Sequence, residues 1–156
     1  MPEDAFMERA RALALANVTR GTGGPFGAVI VLRGEVIAEG VNAVTATNDP
    51  TAHAEVSAIR RACQTRATFR LAGCEIYASC EPCPMCLAAI HWARIDRIYY
   101  DATAEEAAAA GFDDAALYRE IARPASRRRL PMQRLAGEGE HRPFAAWARA
   151  ATRIPY

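Results

Sequence analysis

Two short runs of the sequence carry side chains that could hold a metal ion and move protons. The first is His53-Ala54-Glu55, with an imidazole and a carboxylate two residues apart. The second is Pro82-Cys83-Pro84-Met85-Cys86, with two thiols three residues apart. An imidazole and two thiolates are ligands that zinc prefers, and a catalytic zinc site keeps its fourth position for water. We therefore expect His53, Cys83 and Cys86 to hold one Zn2+ per chain.

Glu55 would supply a proton-transfer group beside this metal. Because two thiolates neutralise the charge of zinc, the metal would acidify water less than a site of three neutral histidines would, and a nearby base is needed. The pattern H-x-E followed by P-C-x-x-C is the signature of zinc-dependent nucleobase deaminases. In such a reaction Glu55 could accept the proton of the attacking water, pass it to a ring nitrogen and later help ammonia leave. We expect Glu55 to be the catalytic residue.

The cysteine pair taken alone allows two other interpretations. A C-x-x-C motif after a strand is also typical of a thioredoxin-like redox centre, and zinc can be purely structural when a fourth protein ligand closes its site. Neither alternative explains a glutamate beside the histidine. Cys63, Cys74 and Cys80 lack such neighbours, so we expect them to be small buried hydrophobic residues.

Composition indicates one ordinary domain, residues 1–156, with 51% hydrophobic residues and a net charge of +1. This charge is too balanced to predict a nucleic-acid partner, because such binding depends on neutralising many phosphates. The beginning of the chain has no signal-like or membrane-spanning pattern, and the five cysteines form an odd set. We expect a cytoplasmic protein with reduced thiols, no membrane contact, and a small nucleobase and water as substrates.

The pattern of apolar and turn residues predicts helices separated by strands. Predicted helices span residues 4–20, 52–66, 83–93, 102–110, 113–121 and 143–151. Predicted strands span residues 26–32, 35–41, 74–79 and 97–101, and residues 124–131 are predicted to be a loop. An initial hairpin followed by alternating helices and strands predicts an α/β fold, with a mixed sheet covered by helices on both faces.

Longer motifs resemble the cytidine deaminase superfamily and, within it, the bacterial guanine deaminases. The similarity runs nearly end to end, and it is carried by Gly23-Gly24-Pro25-Phe26-Gly27-Ala28, residues 47–55, residues 79–86 and Gly111-Phe112-Asp113-Asp114. It implies the three-layer α/β/α fold of that superfamily. It also implies substrate contacts from Phe26, Asn42, Ala54, Trp92, Asp114 and Tyr156, with Phe26 stacking on the purine and Trp92 forming a pocket wall.

Asp114 is the predicted specificity residue. Guanine presents N–H donors at N1 and at its exocyclic amine, whereas adenine presents a bare N1 acceptor that an ionised aspartate would repel. The alternative is that Asp113 and Asp114 only cap the helix that begins there.

The resemblance further implies a homodimer whose C-terminal segment, about residues 130–156, crosses to the partner so that Tyr156 reaches the substrate. Some relatives use a glutamate of this segment in proton transfer, and either Glu138 or Glu140 could correspond to it. His91 stands where the family commonly has tyrosine, and we leave it outside the catalytic set.

Other substrates remain possible at this point. A tRNA adenosine deaminase shares the Pro-Thr-Ala-His-Ala-Glu run and the cysteine pair, but it needs an extended basic surface to hold an anticodon loop. The clearest basic cluster, Arg127-Arg128-Arg129, is more typical of a solvated or dimer-facing loop. Residues 111–114 resemble the guanine deaminases, so cytosine and cytidine are less favoured as substrates. Guanosine and amino-triazines such as ammeline stay open as alternative or additional substrates.

Overall fold

The computed structural model describes residues 4–135 and 142–156. In chain order the elements are α1 (Asp4–Thr19), β1 (Gly27–Leu32), β2 (Glu35–Val41), α2 (Val44–Thr47), α3 (Ala54–Arg66), β3 (Cys74–Cys80), α4 (Pro84–Trp92), β4 (Arg97–Ala102), α5 (Ala104–Ala109), α6 (Asp114–Ile121), a 3-10 turn (Ala125–Arg127) and α7 (Arg142–Arg149). Within the described part of the chain, no helix is both long and apolar enough to cross a membrane.

The strands form one mixed sheet in the order β2-β1-β3-β4. Strand β1 pairs antiparallel with β2 and with β3, whereas β3 and β4 are parallel. The β1–β2 hairpin turns at Arg33 and Gly34, which both have positive φ, of 53° and 81°. Two positive φ values are what a tight hairpin turn of matching twist requires. The predicted mixed α/β sheet is confirmed.

Helices cover both faces of this sheet. Alternate side chains of β1 point to opposite faces and pack against different helices. Ala28 and Ile30 point into a core that they share with Ala58 of α3 and Ile90 of α4. The intervening residues of β1 point to the opposite face, where Ala10 of α1 packs. Successive strand residues face opposite sides, so this one strand contributes to both cores. The predicted three layers are therefore present.

Helix α3 lies close to strand β2 of the sheet. By their spacing, the apolar residues Val56, Ile59 and Ala62 or Cys63 fall on one face of this helix, but the buried residues are Ala54, Glu55, Ala58 and Ala62. The reason is Gly40 of β2, because a Cβ atom there would lie 2.1 Å from the carbonyl oxygen of Ala54. Small residues on both sides let the helix backbone approach the strand. The helix start that carries His53 and Glu55 is thereby fixed against the sheet.

Contacts divide the chain into two compact units, residues 1–119 and residues 120–156. The first unit contains the whole sheet and helices α1 to α5. The second contains the 3-10 turn, in a segment predicted to be a loop, and the amphipathic helix α7. The single-domain organisation stays a prediction. The short helix α2 was not predicted, because four residues are too few for a periodic apolar pattern.

Candidate active site

His53 and Cys83 both occupy the position just before a helix begins. His53 is extended, with φ −70° and ψ 159°, and Cys83 is extended, with φ −64° and ψ 165°. Neither side chain makes a capping hydrogen bond to the described backbone of its helix. Pro84 occupies the first turn of α4, where a missing N–H costs nothing. The backbone at each helix start therefore fixes where these two side chains emerge, and their ring nitrogens and sulfur are not used in capping.

Three potential ligand atoms converge between these helix starts. Nδ1 of His53 lies 3.6 Å from Sγ of Cys83 and 3.5 Å from Sγ of Cys86. The ligand atoms of the three residues all lie within 4.8 Å of one another. In a tetrahedral site with Zn–S near 2.3 Å and Zn–N near 2.0 Å, nitrogen and sulfur ligands are about 3.5 Å apart. The three residues fit a zinc ion in both donor type and spacing.

The pKa values of the two thiols in this cluster are shifted in opposite directions. The pKa of Cys83 is lowered because the side chain of Cys86 hydrogen bonds to it, and His53 adds to the effect. The same contact with Cys83 raises the pKa of Cys86, and burial raises it further. The hydrogen bond to Cys83 raises the pKa of His53. An anionic sulfur that interacts with its neighbours in this way is suited to hold a cation.

Glu55 lies in the first turn of α3 and is 8% exposed. Burial raises the pKa of its carboxyl group above the usual range, and the side chain of Cys86 opposes this by hydrogen bonding to it. A carboxyl group with a raised pKa can accept and release a proton closer to neutral pH. The position and environment of Glu55 suit proton transfer at the metal site.

A single pocket contains most of the predicted site residues. Its described lining consists of Phe26, Asn42, His53, Glu55, Cys80, Glu81, Cys83, Phe112 and Asp114. All of these belong to the first unit. The ring of Phe112 meets that of Phe26 edge to face, with centroids 4.8 Å apart. The structure thus brings an aromatic platform, an amide and three carboxylates, on five separate segments of the chain, together at the metal cluster.

Asn42 and Asp114 offer opposite hydrogen-bonding groups to this pocket. The side-chain oxygen of Asn42 accepts the N–H of Val44 at 3.3 Å, so its amide nitrogen is the group left to donate. Asp114 is partly buried, and desolvation raises its pKa, with the charge of Cys83 acting in the same direction. As an ionised group Asp114 only accepts hydrogen bonds. The pocket can bind a planar ligand that has both acceptors and N–H donors on its edge.

Asn17 of α1 connects two of the segments that line the pocket. Its side chain is buried, and its amide nitrogen donates to the carbonyl oxygens of Gly24 at 2.9 Å and Asn42 at 2.8 Å. The amide oxygen of Asn17 accepts the hydroxyl of Thr22 at 2.7 Å. Every polar group of this side chain is therefore used to hold the chain before Phe26 next to Asn42.

Replacing Asn17 by Ala is expected to lower the free energy of unfolding by about 1–3 kcal/mol, because the half-buried carbonyl of Gly24 and the carbonyl of the buried Asn42 lose their donor. Urea denaturation, with the midpoint shifted and the slope unchanged, measures this effect. Thr19→Ala, on the exposed side of the same helix, serves as the control and should change stability by less than about 0.5 kcal/mol. Equal effects of the two substitutions would show that the Asn17 contacts contribute nothing specific.

Three predicted contacts do not line the pocket in the described chain. Ala54 is buried in the core between α3 and the sheet. Trp92, at the end of α4, is 60% exposed, and Tyr156 is 71% exposed. Contacts from these residues to a substrate stay predictions. His91 is exposed at the end of α4, and Glu138 and Glu140 lie outside the described residues.

The sequence-based prediction missed Phe112, Cys80 and Glu81 as pocket residues. All three lie within two or three residues of a predicted site residue, Cys83 or Asp114, and this closeness in sequence could have identified them. The carboxylate of Glu81 accepts the N–H of Ala104 at 3.0 Å and so fixes the start of α5. Burial raises the pKa of Cys80 to about 12, which keeps this thiol neutral. The buried, uncharged state expected for Cys80 is therefore found beside the pocket.

Comparisons with known proteins agree with this site. Residues 2–102 match the family model described as the cytidine and deoxycytidylate deaminase zinc-binding region. Guanine deaminase of Bacillus subtilis is 50% identical over 156 residues, which is 100% of both chains. A tRNA-specific adenosine deaminase of Agrobacterium fabrum is 47% identical over 100 residues, covering 61% of this chain and 66% of that protein.

Solved structures of guanine deaminases are also similar to this chain. An X-ray structure of guanine deaminase from Bacillus subtilis covers 100% of this chain and 99% of its own, with a TM-score of 0.95 and 50% identity. The guanine deaminase of Nitrosomonas europaea covers 72% of this chain and 65% of its own, with a TM-score of 0.69 and 33% identity. The chain is therefore a homologue of bacterial guanine deaminase and belongs to the zinc-binding cytidine and deoxycytidylate deaminase family.

Proposed function

We propose that the chain catalyses the zinc-dependent hydrolytic deamination of guanine to xanthine and ammonia. One observation carries this proposal: the carboxylate of Asp114 lines the same pocket as Glu55 and the His53–Cys83 cluster. A proton-transfer group and a selective hydrogen-bond acceptor would thus contact the same bound ligand. Full-length similarity to a guanine deaminase supports the same substrate.

His53, Cys83 and Cys86 would hold the zinc ion. When bound, zinc would supply a Lewis acid that makes a water molecule a better nucleophile. Glu55 accepts the proton of this water as its oxygen attacks the carbon that bears the amino group of guanine. Glu55 then delivers the proton to the neighbouring ring nitrogen and assists the departure of ammonia. Burial raises the pKa of this carboxyl group above its usual range, which favours its taking up a proton during the reaction and giving it back.

Substrate selection follows from the two polar groups of the pocket. The amide nitrogen of Asn42 donates to an acceptor of the purine, and Asp114 accepts from its N–H groups. Phe26, supported by Phe112, packs against the ring. Adenine would place an acceptor opposite an ionised carboxylate and leave it without a donor, which disfavours adenine in a buried site.

Other functions have less support. The tRNA-specific adenosine deaminase named above matches over 61% of this chain, whereas the guanine deaminase matches over all of it. The net charge of +1 does not favour an RNA substrate. A redox pair or a structural zinc site would not require a buried carboxyl group beside the metal ligands. Guanosine and ammeline remain candidate additional substrates.

Ammonia release tests the proposal directly. Zinc-loaded protein is assayed with guanine, guanosine, ammeline, adenine, adenosine, cytosine and cytidine, with a chelator-treated sample alongside. We expect zinc-dependent release from guanine and none from adenosine or cytidine. Release from none of these compounds would contradict the proposal and direct the search to tRNA. Release that survives complete removal of zinc would contradict the metal-dependent mechanism.

Asp114→Asn tests the origin of the preference for guanine. Losing the charge should lower kcat/KM for guanine by about ten- to a hundredfold, because hydrogen bonds to charged groups are roughly twice as strong as neutral ones. Steady-state kinetics on guanine and on adenine measure the change. Asp113→Asn is a matched control, since Asp113 is exposed beside the same helix start and asparagine is an equally good cap. Equal effects of both variants would indicate a capping role only.

The proposal includes a homodimer in which the C-terminal segment of each chain closes the partner's site, with Tyr156 at the substrate. The second unit supports this by exposing large apolar side chains: Leu130, Met132, Leu135, Phe144, Trp147, Ile154 and Tyr156. Exposed apolar patches on soluble proteins commonly mark protein–protein interaction sites. Light scattering on the purified protein should give twice the mass of the chain. A monomer mass across the working concentration range would contradict the dimer.

A further inference from the structure

Helix α6 carries Asp114 but is weakly anchored by core packing. None of its residues that the structure describes is fully buried. Neither of the two described core clusters includes a residue of this helix. The position of the Asp114 carboxylate must therefore depend on a few specific contacts around the helix.

Tyr118 supplies one such contact. Its hydroxyl donates to the carbonyl oxygen of Pro82 at 2.5 Å, at the short end of the normal range. Tyr118 follows Asp114 by four residues, so the two side chains lie on the same face of α6. Pro82 immediately precedes Cys83. One hydrogen bond thus joins the helix that carries Asp114 to the chain that leads into the metal cluster.

Tyr118 is separate from the groups that face the ligand. It is not among the described residues that line the pocket, whereas Asp114 is. On the other side of Asp114, Phe112 contacts Phe26. Asp114 is therefore held between an aromatic contact that precedes it and a hydrogen bond that follows it.

We propose that Tyr118 is a positioning residue for substrate selection, whose hydroxyl holds α6 against the carbonyl of Pro82 and so keeps Asp114 at the edge of the bound base. This inference rests on the proposed guanine deaminase function. Tyr118 acts through Asp114, so its loss should weaken substrate binding more than the chemical step. The metal ligands should be unaffected, because His53 and Cys83 lie at the starts of α3 and α4, Cys86 lies within α4, and neither helix changes.

Tyr118→Phe removes only the hydroxyl. We expect KM for guanine to rise about three- to tenfold, the range that one hydrogen bond supplies, with kcat within about twofold of the parent. Zinc content should be unchanged. Tyr77→Phe is the matched control, because it deletes a hydroxyl that interacts with Glu75 at 3.3 Å in the core beneath α1, away from the pocket. The control should leave KM and kcat as they are.

The same substitution in an Asp114→Asn background separates positioning from a general structural effect. If Tyr118 acts through Asp114, Tyr118→Phe should raise KM no further once the carboxylate is gone. An undiminished rise in that background, an unchanged KM in the single variant, or a loss of zinc would each overturn the inference. A parent protein that does not deaminate guanine would overturn the proposed function and this inference with it. If the parent deaminates guanine and the Tyr118→Phe variant has the same KM as the parent, this inference alone is overturned.

Discussion

Glu55→Gln is expected to reduce guanine turnover by about a thousandfold or more while the fold and the bound zinc are retained. The amide is nearly the same size as the carboxyl group, but it cannot accept a proton from water or return one to the ring. General acid–base catalysis by one group typically contributes a factor of about 100 to 10,000, and here one residue serves several transfers. Single-turnover and steady-state ammonia release, with zinc per chain measured in parallel, give the answer.

The control for this substitution is Glu106→Gln. Glu106 is outside the described pocket lining and belongs to a capping box with Thr103 at the start of α5, where glutamine serves as well as glutamate. Its activity should be close to the parent. A Glu55→Gln variant that also retained activity close to the parent would show that the proton is moved by another group.

Cys83→Ala is expected to abolish both stable zinc binding and ammonia release. The substitution leaves His53 and Cys86 as ligands, and two protein ligands are fewer than the three that a catalytic zinc site requires. It also removes the group whose pKa is lowered within the cluster. Metal analysis after dialysis should give about one zinc ion per chain for the parent and almost none for the variant.

Cys63→Ala is the matched control for the ligand test. Cys63 is a partly buried cysteine of α3 that packs against the core and does not belong to the metal cluster. This variant should retain zinc and activity, with a modest loss of stability from the missing sulfur. Retention of zinc and full activity by Cys83→Ala would show that the ligands have been assigned wrongly.

The elements that position the site were largely predictable, because their signals are local. Arg33-Gly34 between two apolar runs predicts the hairpin turn, and Glu81-Pro82 precedes the helix predicted to start near Cys83, which begins at Pro84 in the structure. Apolar periodicity located the strands to within one or two residues. The metal cluster could be predicted for a similar reason, since its chemistry is concentrated in two short runs at two helix starts. Spacing and residue type within each run carry the information.

The buried face of α3 and the full lining of the pocket could not be obtained in this way. They depend on contacts between segments far apart in the chain, such as Gly40 with Ala54 and Phe26 with Phe112. The apolar spacing of α3 places Val56 and Ile59 on one face of the helix. The close approach of the helix backbone to β2 buries the small residues Ala54 and Ala58 instead.

Local sequence patterns predicted the α/β class, the types and spacing of the metal ligands, and Glu55 as the proton-transfer residue, because each pattern involves residues close together in the chain. The groups that share the pocket, and the contacts that hold them, became visible in the tertiary structure. Asn17 connecting Gly24 to Asn42, and Tyr118 bonding to Pro82, join residues that no local pattern relates. The physical reason is that hydrogen bonds and packing at the site depend on distances set by the whole fold, whereas turns, caps and ligand spacing depend on the adjacent backbone.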